Sequence, residues 1–289
     1  MECALLNRYG VLAVTGTDAR AFLHAQLTND IENLPADRAA LAGWCTAKGR
    51  LLATMLVIPS ADGFLLQLAR DIAPAVAKRL SMFVLRSKVK ISDESANLAQ
   101  MGVWTSDWKG PDLTWDNGVA RVRVEEGRFL LIGPGLSGPC GKGEEAWSLA
   151  EIRAGRPFIS AATQDKFVPQ MVNLEALGGI NFQKGCYPGQ EVVARSQYRG
   201  TLKRRSFLFD VDAPARPGQE LFHDSDPGQP AGLVANAAPR PDGQGASLLA
   251  EVKLAALHGG TLRLGAADGP ALRRQRLPYA VPMDADEAA

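Results

Sequence analysis

The chain has 289 residues, enough for two or three compact units with hydrophobic cores of their own. Lys and Arg number 32 against 31 Asp and Glu, so the formal charge is only +1. No overall field therefore draws the chain to nucleic acid or acidic membranes, and any such binding needs a local patch. The start shows no signal peptide, and the longest apolar run, 51–58, is far short of the roughly 20 residues of a membrane span. We expect a cytoplasmic protein.

The first hundred residues predict one α+β lobe, 1–100. A strand over 10–14 is followed by a helix from Ala19, with Asp18 as its N-cap. Two strands, 51–58 and 63–68, form a predicted hairpin. Residues 72–85 have helical spacing.

A second α+β lobe is predicted over 101–205. It contains a hairpin of 119–124 with 128–132, a Gly/Pro-rich loop over 133–143, and a helix from about 144 that ends at Gly155. From Phe207 onward, short strands alternate with turn residues, which predicts a small β-barrel over 206–282. Residues 283–289 are predicted to be a frayed tail.

Cysteines and histidines show no spacing that is typical of a site. No CxxC pair occurs, and four cysteines in a chain of this length do not predict a disulfide framework. The histidine spacing predicts neither a zinc site nor a catalytic triad, and we assign no metal ligand. These residues are Cys3, Cys45, Cys140, Cys186, His24, His223 and His258.

The most informative segment is 173–195, NLEALGGINFQKGCYPGQEVVAR. Its glycines Gly178, Gly179, Gly185 and Gly189 allow sharp turns and close approach of a ligand. Cys186 follows a lysine closely and is near Arg195 in sequence, a cationic setting that favours a reactive thiolate. The alternative is a buried, inert cysteine.

This segment resembles the signature of the YgfZ family, K-G-C-Y/F-x-G-Q-E followed by A-R. The likeness extends over 9–205 and includes Val14-Thr15-Gly16, Ala47-Lys48-Gly49-Arg50 and Arg86-Ser87-Lys88-Val89. The matching signature residues are Lys184, Gly185, Cys186, Tyr187, Gly189, Gln190, Glu191, Ala194 and Arg195. The resemblance implies two α+β lobes that form the aminomethyltransferase-type folate-binding scaffold, plus a C-terminal antiparallel β-barrel.

The resemblance also implies contacts with folate. Tyr9 and Trp147 stand at two positions where family members place an aromatic ring against the ligand, which suits stacking on a pterin or aminobenzoyl ring. The alternative for each is a core aromatic residue. Arg153 occupies a cofactor-binding position where related proteins often carry Glu. An arginine has only donors, so this pterin contact must differ or be weaker.

One departure argues against aminomethyl transfer. The related aminomethyltransferase carries a pair of aspartates where this chain has Ala53 and Thr54. Neither side chain can orient an amine through a carboxylate.

A run without acidic residues follows the signature. Arg195 and four further basic residues form it, and three readings stay open: a solvated loop, a clamp for the folate polyglutamate tail, or a contact to RNA or a partner protein. The four further residues are Arg199, Lys203, Arg204 and Arg205.

Two functions follow from these features. By resemblance, the first is a tetrahydrofolate-binding accessory factor for iron–sulfur cluster assembly or repair and for iron–sulfur-dependent tRNA modification. Its partners would be iron–sulfur proteins or assembly factors, with direct tRNA binding left open. Cys186 would be the reactive thiol, more reactive than the other cysteines, with Lys184, Gln190, Glu191 and Arg195 around it. The second is a folate-dependent one-carbon transferase or demethylase acting on an unidentified amine.

Overall fold

The computed structural model describes residues 2–106, 108–198 and 202–281. They form two compact units. The first contains the described residues up to Trp44, with Leu52–Trp147 and Gly179–Pro188; the second contains Cys45–Leu51, Ser148–Gly178 and the described residues from Gly189 onward.

The first unit contains two five-stranded antiparallel sheets. Strands β1 to β10 are, in chain order, Glu2–Leu5, Tyr9–Thr15, Ala40–Cys45, Leu51–Ser60, Gly63–Ala69, Lys90–Asp93, Ala99–Trp104, Leu113–Asp116, Val119–Glu125 and Arg128–Gly133. One sheet has the order β3-β4-β5-β2-β6 and the other β1-β7-β10-β9-β8. Helices α1, Ala19–Gln26, and α2, Ala73–Ser81, accompany the first sheet.

Both hairpins that the sequence predicts in these sheets are confirmed. β4 pairs with β5 around a turn of two residues, since Ser60 is opposite Gly63, and β9 pairs with β10. β4 and β5 are continuous apolar runs and are buried on both faces, whereas buried and exposed residues alternate at the start of β9.

Two details differ from the sequence prediction. Asp18 is the N-cap of α1, as predicted, but its side chain makes no capping bond; the carboxylate instead accepts the backbone N–H of Lys88 at 2.7 Å. Helix α2 ends at Ser81 rather than continuing to residue 85, and Leu85 itself is outside the helical region, with a φ of +45°. Met82 and Leu85 are exposed, so the apolar residues after Ser81 do not extend the buried face of the helix.

The second unit contains a six-stranded antiparallel sheet. Strands β11 to β16 are Arg204–Val211, Glu220–His223, Gly232–Pro239, Ala246–Lys253, Leu262–Leu264 and Leu272–Gln275. Their order is β15-β12-β13-β14-β11-β16, and a bridge between Arg263 and Ala271 nearly closes the sheet into a barrel. Its core includes Phe207, Phe209 and Leu248.

Two more helices complete the description. Helix α3 is Glu144–Arg153 and helix α4 is Gln190–Tyr198, and short 3₁₀ helices span Pro169–Val172 and Leu254–Leu257. Gly155 follows α3 with a φ of +70°, as expected of a residue that ends a helix.

The fold class is therefore confirmed: α+β, with strand-rich lobes and a nearly closed antiparallel barrel. The domain bounds at 100 and 205 stay a prediction, and strand β1, from within 1–100, pairs with β7. Residues 283–289 lie outside the described residues. Among the helices that are described, none is long and apolar enough to cross a membrane.

Candidate functional site

The part of the signature in the first unit is fastened by a buried lysine. Lys184 is only 8% exposed, and its Nζ donates to the backbone carbonyl oxygens of His24 and Leu27, the latter at 2.8 Å. Leu27 is the C-cap of α1. A cation is favourable at this end of a helix, where carbonyl groups lack helical partners. The signature loop is thus attached to the end of α1.

Thr28 and Asn181 complete the attachment. The Thr28 hydroxyl donates to the carbonyl oxygen of Gly179 at 2.6 Å, and the Asn181 N–H donates to the Thr28 carbonyl at 3.0 Å. The Asn181 side-chain oxygen accepts the N–H groups of Gln183 and Lys184 at 2.8 and 3.1 Å. These bonds set the turn that leads into Cys186.

The surroundings of Lys184 combine burial with negative charge. Burial lowers the pKa of Lys184 to about 8, while the charges of Asp30 and Cys186 act in the opposite direction. The ammonium also lies 4.9 Å from the centre of the Tyr187 ring. The hydrogen bond from Asn33 is the largest cause that lowers the pKa of Asp30. Burial therefore disfavours the charge on Lys184, and the negative groups near it offset that effect only in part.

His24 is a site residue that sequence reasoning missed. Its Nδ1 accepts the Glu32 N–H at 3.1 Å and lies 3.2 Å from the Asp30 carboxylate. The other ring nitrogen, Nε2, faces the signature loop. A Cβ placed on Gly185 would lie 3.6 Å from that Nε2. Only the folding of α1 next to the signature loop reveals this neighbour.

Cys186 is exposed, which rules out the buried alternative. The other free cysteine, Cys45, is buried, and burial raises its pKa to about 12. Cys3 and Cys140 form a disulfide, a pairing across 137 residues that sequence spacing did not predict. Of the three cysteines expected to be less reactive than Cys186, only Cys45 is a free thiol. The expected order of reactivity stays a prediction.

In the second unit, Gly189 needs its lack of a side chain. Its φ is +81°, and a Cβ there would lie 2.6 Å from the Cα of Gly49. Gly49 has a φ of +71°, and its own added Cβ would lie 2.9 Å from Val192. The Ala47–Arg50 segment and the GQE segment therefore pack glycine against glycine. Gly178 and Gly189 have the positive φ expected of turn glycines in this segment, whereas Gly185 does not.

Helix α4 carries the other signature side chains. Glu191 and Arg195 are exposed, one turn apart, and Gln190 is half-buried. The helix is held by Gln170, whose side-chain nitrogen donates to the Val193 carbonyl at 2.7 Å. Their expected role around the thiol stays a prediction.

The two aromatic residues expected to contact folate are core side chains. Tyr9 is 7% exposed and its carbonyl accepts a hydrogen bond from Gln100 at 2.8 Å. Trp147 is 2% exposed; it meets Trp104 edge to face, and the Arg128 guanidinium lies 4.7 Å from its ring centre. Both match the alternative of core aromatics, and their contact with folate stays a prediction.

The structure also shows where three other positions from the sequence analysis lie. Arg153 is exposed at the end of α3 and lines a cleft in the second unit. Ala53 and Thr54 are buried on β4. No carboxylate stands at either of these two positions.

The basic run is not a uniform loop. Arg204 and Arg205 lie on β11 and form ion pairs with Glu251 and Glu175. The Arg205 guanidinium also donates to the Gln170 carbonyl at 2.8 Å, and it is 7% exposed. Burial raises the pKa of Glu175, which Arg205 opposes. Lys203 is exposed, and Arg199 lies outside the described residues.

No cluster of three His, Cys, Asp or Glu side chains that could hold a metal is found in the described part of the chain. The arrangement in the first unit offers an exposed thiol with an ammonium and an imidazole nearby.

Known proteins resemble this chain in sequence and in fold. No family model matches the chain. The tRNA-modifying protein YgfZ of Vibrio vulnificus (strain CMCP6) is 31% identical over 236 residues, which cover 75% of this chain and 72% of that protein. The tRNA-modifying protein YgfZ of Edwardsiella ictaluri (strain 93-146) is 34% identical over 229 residues, which cover 71% and 69%.

A solved structure shows the fold. The glycine cleavage system aminomethyltransferase T from Bartonella henselae superposes with a TM-score of 0.68 over 98% of this chain and 87% of that one, at 15% identity. The chain therefore has an aminomethyltransferase fold. Within proteins of this fold, it belongs to the YgfZ family.

Proposed function

We propose that the chain is a tetrahydrofolate-binding accessory factor that supports iron–sulfur cluster assembly or repair, and with it iron–sulfur-dependent tRNA modification. Its relatives are named tRNA-modifying proteins, and its fold is that of a glycine cleavage aminomethyltransferase. The folate and iron–sulfur parts are what the signature resemblance implies. Iron–sulfur proteins or their assembly factors would be its partners.

One observation carries the proposal: Cys186 is exposed on a loop that a buried lysine holds in place. Burying an ammonium costs free energy unless hydrogen bonds and charges compensate for it. A loop needed only as a turn would not require such an anchor beside its one thiol. The arrangement supports a role for Cys186 as a working group, with Lys184 as the residue that positions it.

Folate would not reach the expected aromatic rings without rearrangement. Tyr9 and Trp147 are buried, so neither presents an open face for stacking in this arrangement. These two side chains do not fit a stacking role as they stand, and no step of the proposed function depends on them. The proposal of folate binding is supported by the fold and the family.

Isothermal titration calorimetry with tetrahydrofolate tests the folate part. We expect saturable binding to the full chain in the micromolar to millimolar range. Heat of mixing alone at millimolar tetrahydrofolate would contradict it.

The rival function, one-carbon transfer from an amine, has less support. Ala53 and Thr54 place no carboxylate on β4 to orient an amine. Incubation of the protein with tetrahydrofolate and candidate amines should yield no methylene-tetrahydrofolate. Catalytic formation of that product would favour the enzyme instead.

A further inference from the structure

We propose that a basic cleft in the second unit binds the phosphate backbone of RNA. The cleft, called here the arginine cleft, has a volume of about 850 Å³ and is lined by Arg153, Arg274, Arg276, Phe207 and Tyr279, among others. The proposal goes beyond the proposed function, which requires no direct contact between this chain and RNA.

Packing below the cleft fixes its arginine-bearing segment. Leu277 is buried in a cluster with Leu149 and Ile152 of α3. The Tyr279 hydroxyl donates to the carbonyl oxygen of Gly155 at 3.0 Å. Arg276 is next to this anchored leucine, so its exposed side chain projects from a fixed backbone.

Two further arginines are presented by regular structure. Arg274 is on β16 and its guanidinium lies 4.4 Å from the centre of the Phe207 ring, which orders the side chain by a cation–π contact. Arg153 is the last residue of α3. Both are exposed.

Charge balance separates these arginines from their neighbours. Among the described residues, no carboxylate forms an ion pair with Arg153, Arg274 or Arg276. Arg273, adjacent on β16, instead makes a two-bond contact with Asp212, at 2.5 and 2.6 Å. Within the described part of the chain, the cleft thus presents three arginines that have no ion-pair partner, in a chain whose formal charge is +1.

Phosphodiesters suit this surface better than a small ligand does. Guanidinium groups bind phosphate oxygens through paired hydrogen bonds, and backbone phosphates recur along a polymer at the spacing of neighbouring side chains. Gln275 and Pro278, which also line the cleft, are exposed, so the cleft is open to solvent. Because no overall field attracts RNA, a local patch of this kind is what binding would need.

Fluorescence anisotropy with a labelled, unmodified tRNA transcript tests the proposal. The full chain should be compared with a triple variant, Arg153→Gln, Arg274→Gln and Arg276→Gln, across a range of salt. We expect the triple variant to bind about tenfold or more weakly at low salt. The slope of log K against log salt should fall in magnitude by about 2 to 3, since each lost phosphate contact removes roughly 0.9.

Arg273→Gln is the matched control, since it removes one exposed arginine from the same strand. It should leave both affinity and slope close to wild type. Circular dichroism and thermal unfolding identify any variant that fails to fold, and single Gln variants then replace the triple one.

Three results would overturn the proposal. These are wild-type RNA affinity in the folded triple variant, an equal loss in Arg273→Gln, and displacement of the RNA by micromolar polyglutamylated folate, which would make the cleft a carboxylate site. Loss of tetrahydrofolate binding in calorimetry would bear on the proposed function alone, so the two failures are distinguishable.

Discussion

The ammonium of Lys184 lies 2.8 Å from the backbone carbonyl oxygen of Leu27, the C-cap of helix α1. This contact joins two stretches that are 157 residues apart in sequence. It combines helix capping with the placement of the loop that carries Cys186.

Replacing the anchor should loosen that loop. Lys184→Met keeps the apolar stem but removes the donors, leaving buried carbonyl groups unpaired, at a cost of about 1–3 kcal/mol. Hydrogen exchange measured by mass spectrometry should show faster exchange over 179–188. The exposed Lys203→Met is the control and should change neither quantity. Unchanged protection of 179–188 in Lys184→Met would show that the lysine does not hold the loop.

Lys184 should also make stability depend on alkaline pH. Its pKa is lowered to about 8 in the folded chain from 10.5, so between these values the unfolded chain binds more protons. Stability therefore rises with pH between about 8 and 10.5 because of this group. Below pH 8 the group is protonated in both states and adds no pH dependence. Denaturant unfolding at pH 7.5, 9 and 10.5 should therefore show wild type gaining stability relative to Lys184→Met. A constant difference would mean that the lysine titrates normally.

The sequence predicts the local elements well and the site only in part. Hairpin β4–β5 follows from two apolar runs joined by a short turn, and the end of α3 at Gly155 follows from glycine chemistry; both are local properties. The contacts of His24 and the Cys3–Cys140 disulfide depend on which distant segments meet. Nothing in the residues near them indicates those partners.

The basic run is a second case in which the local sequence does not reveal the partners of a side chain. Arg204 and Arg205 read as free charges because no acidic residue is near them in sequence. Strand pairing and packing bring Glu251 and Glu175 into contact with them.

Gly189 should tolerate substitution less well than Gly178. Both have positive φ, +81° and +70°, but only the added Cβ at Gly189 meets neighbouring atoms. Gly178→Ala should cost about 1 kcal/mol from backbone strain alone. Gly189→Ala should cost about 3 kcal/mol or more, because Gly49 must shift as well. Urea unfolding of the two variants measures the difference, and equal costs would argue against the glycine-on-glycine packing.

Arg205 should behave as a structural residue. Arg205→Met leaves the Glu175 carboxylate buried without its partner, a loss of about 3–5 kcal/mol. Burial already raises the pKa of Glu175, so the deficit should shrink as the pH falls and that carboxyl group is protonated. Thermal unfolding at pH 5 and 7 measures this. Lys203→Gln should stay within about 0.5 kcal/mol of wild type. A near-neutral Arg205→Met would return Arg205 to the candidates for ligand contact.

The central claim is that the exposed thiol of Cys186 is a working group. Its most direct test is complementation of a bacterial strain that lacks its own family member, with iron–sulfur enzyme activity as the measurement. Wild type and Cys45→Ala, which alters the other free cysteine, should restore activity, provided that both accumulate equally. Cys186→Ser should fold and accumulate to the same level, since the replaced side chain is exposed, and should fail to restore activity. Full rescue by Cys186→Ser would contradict the account and would leave the signature as a backbone element built around Gly189 and Lys184.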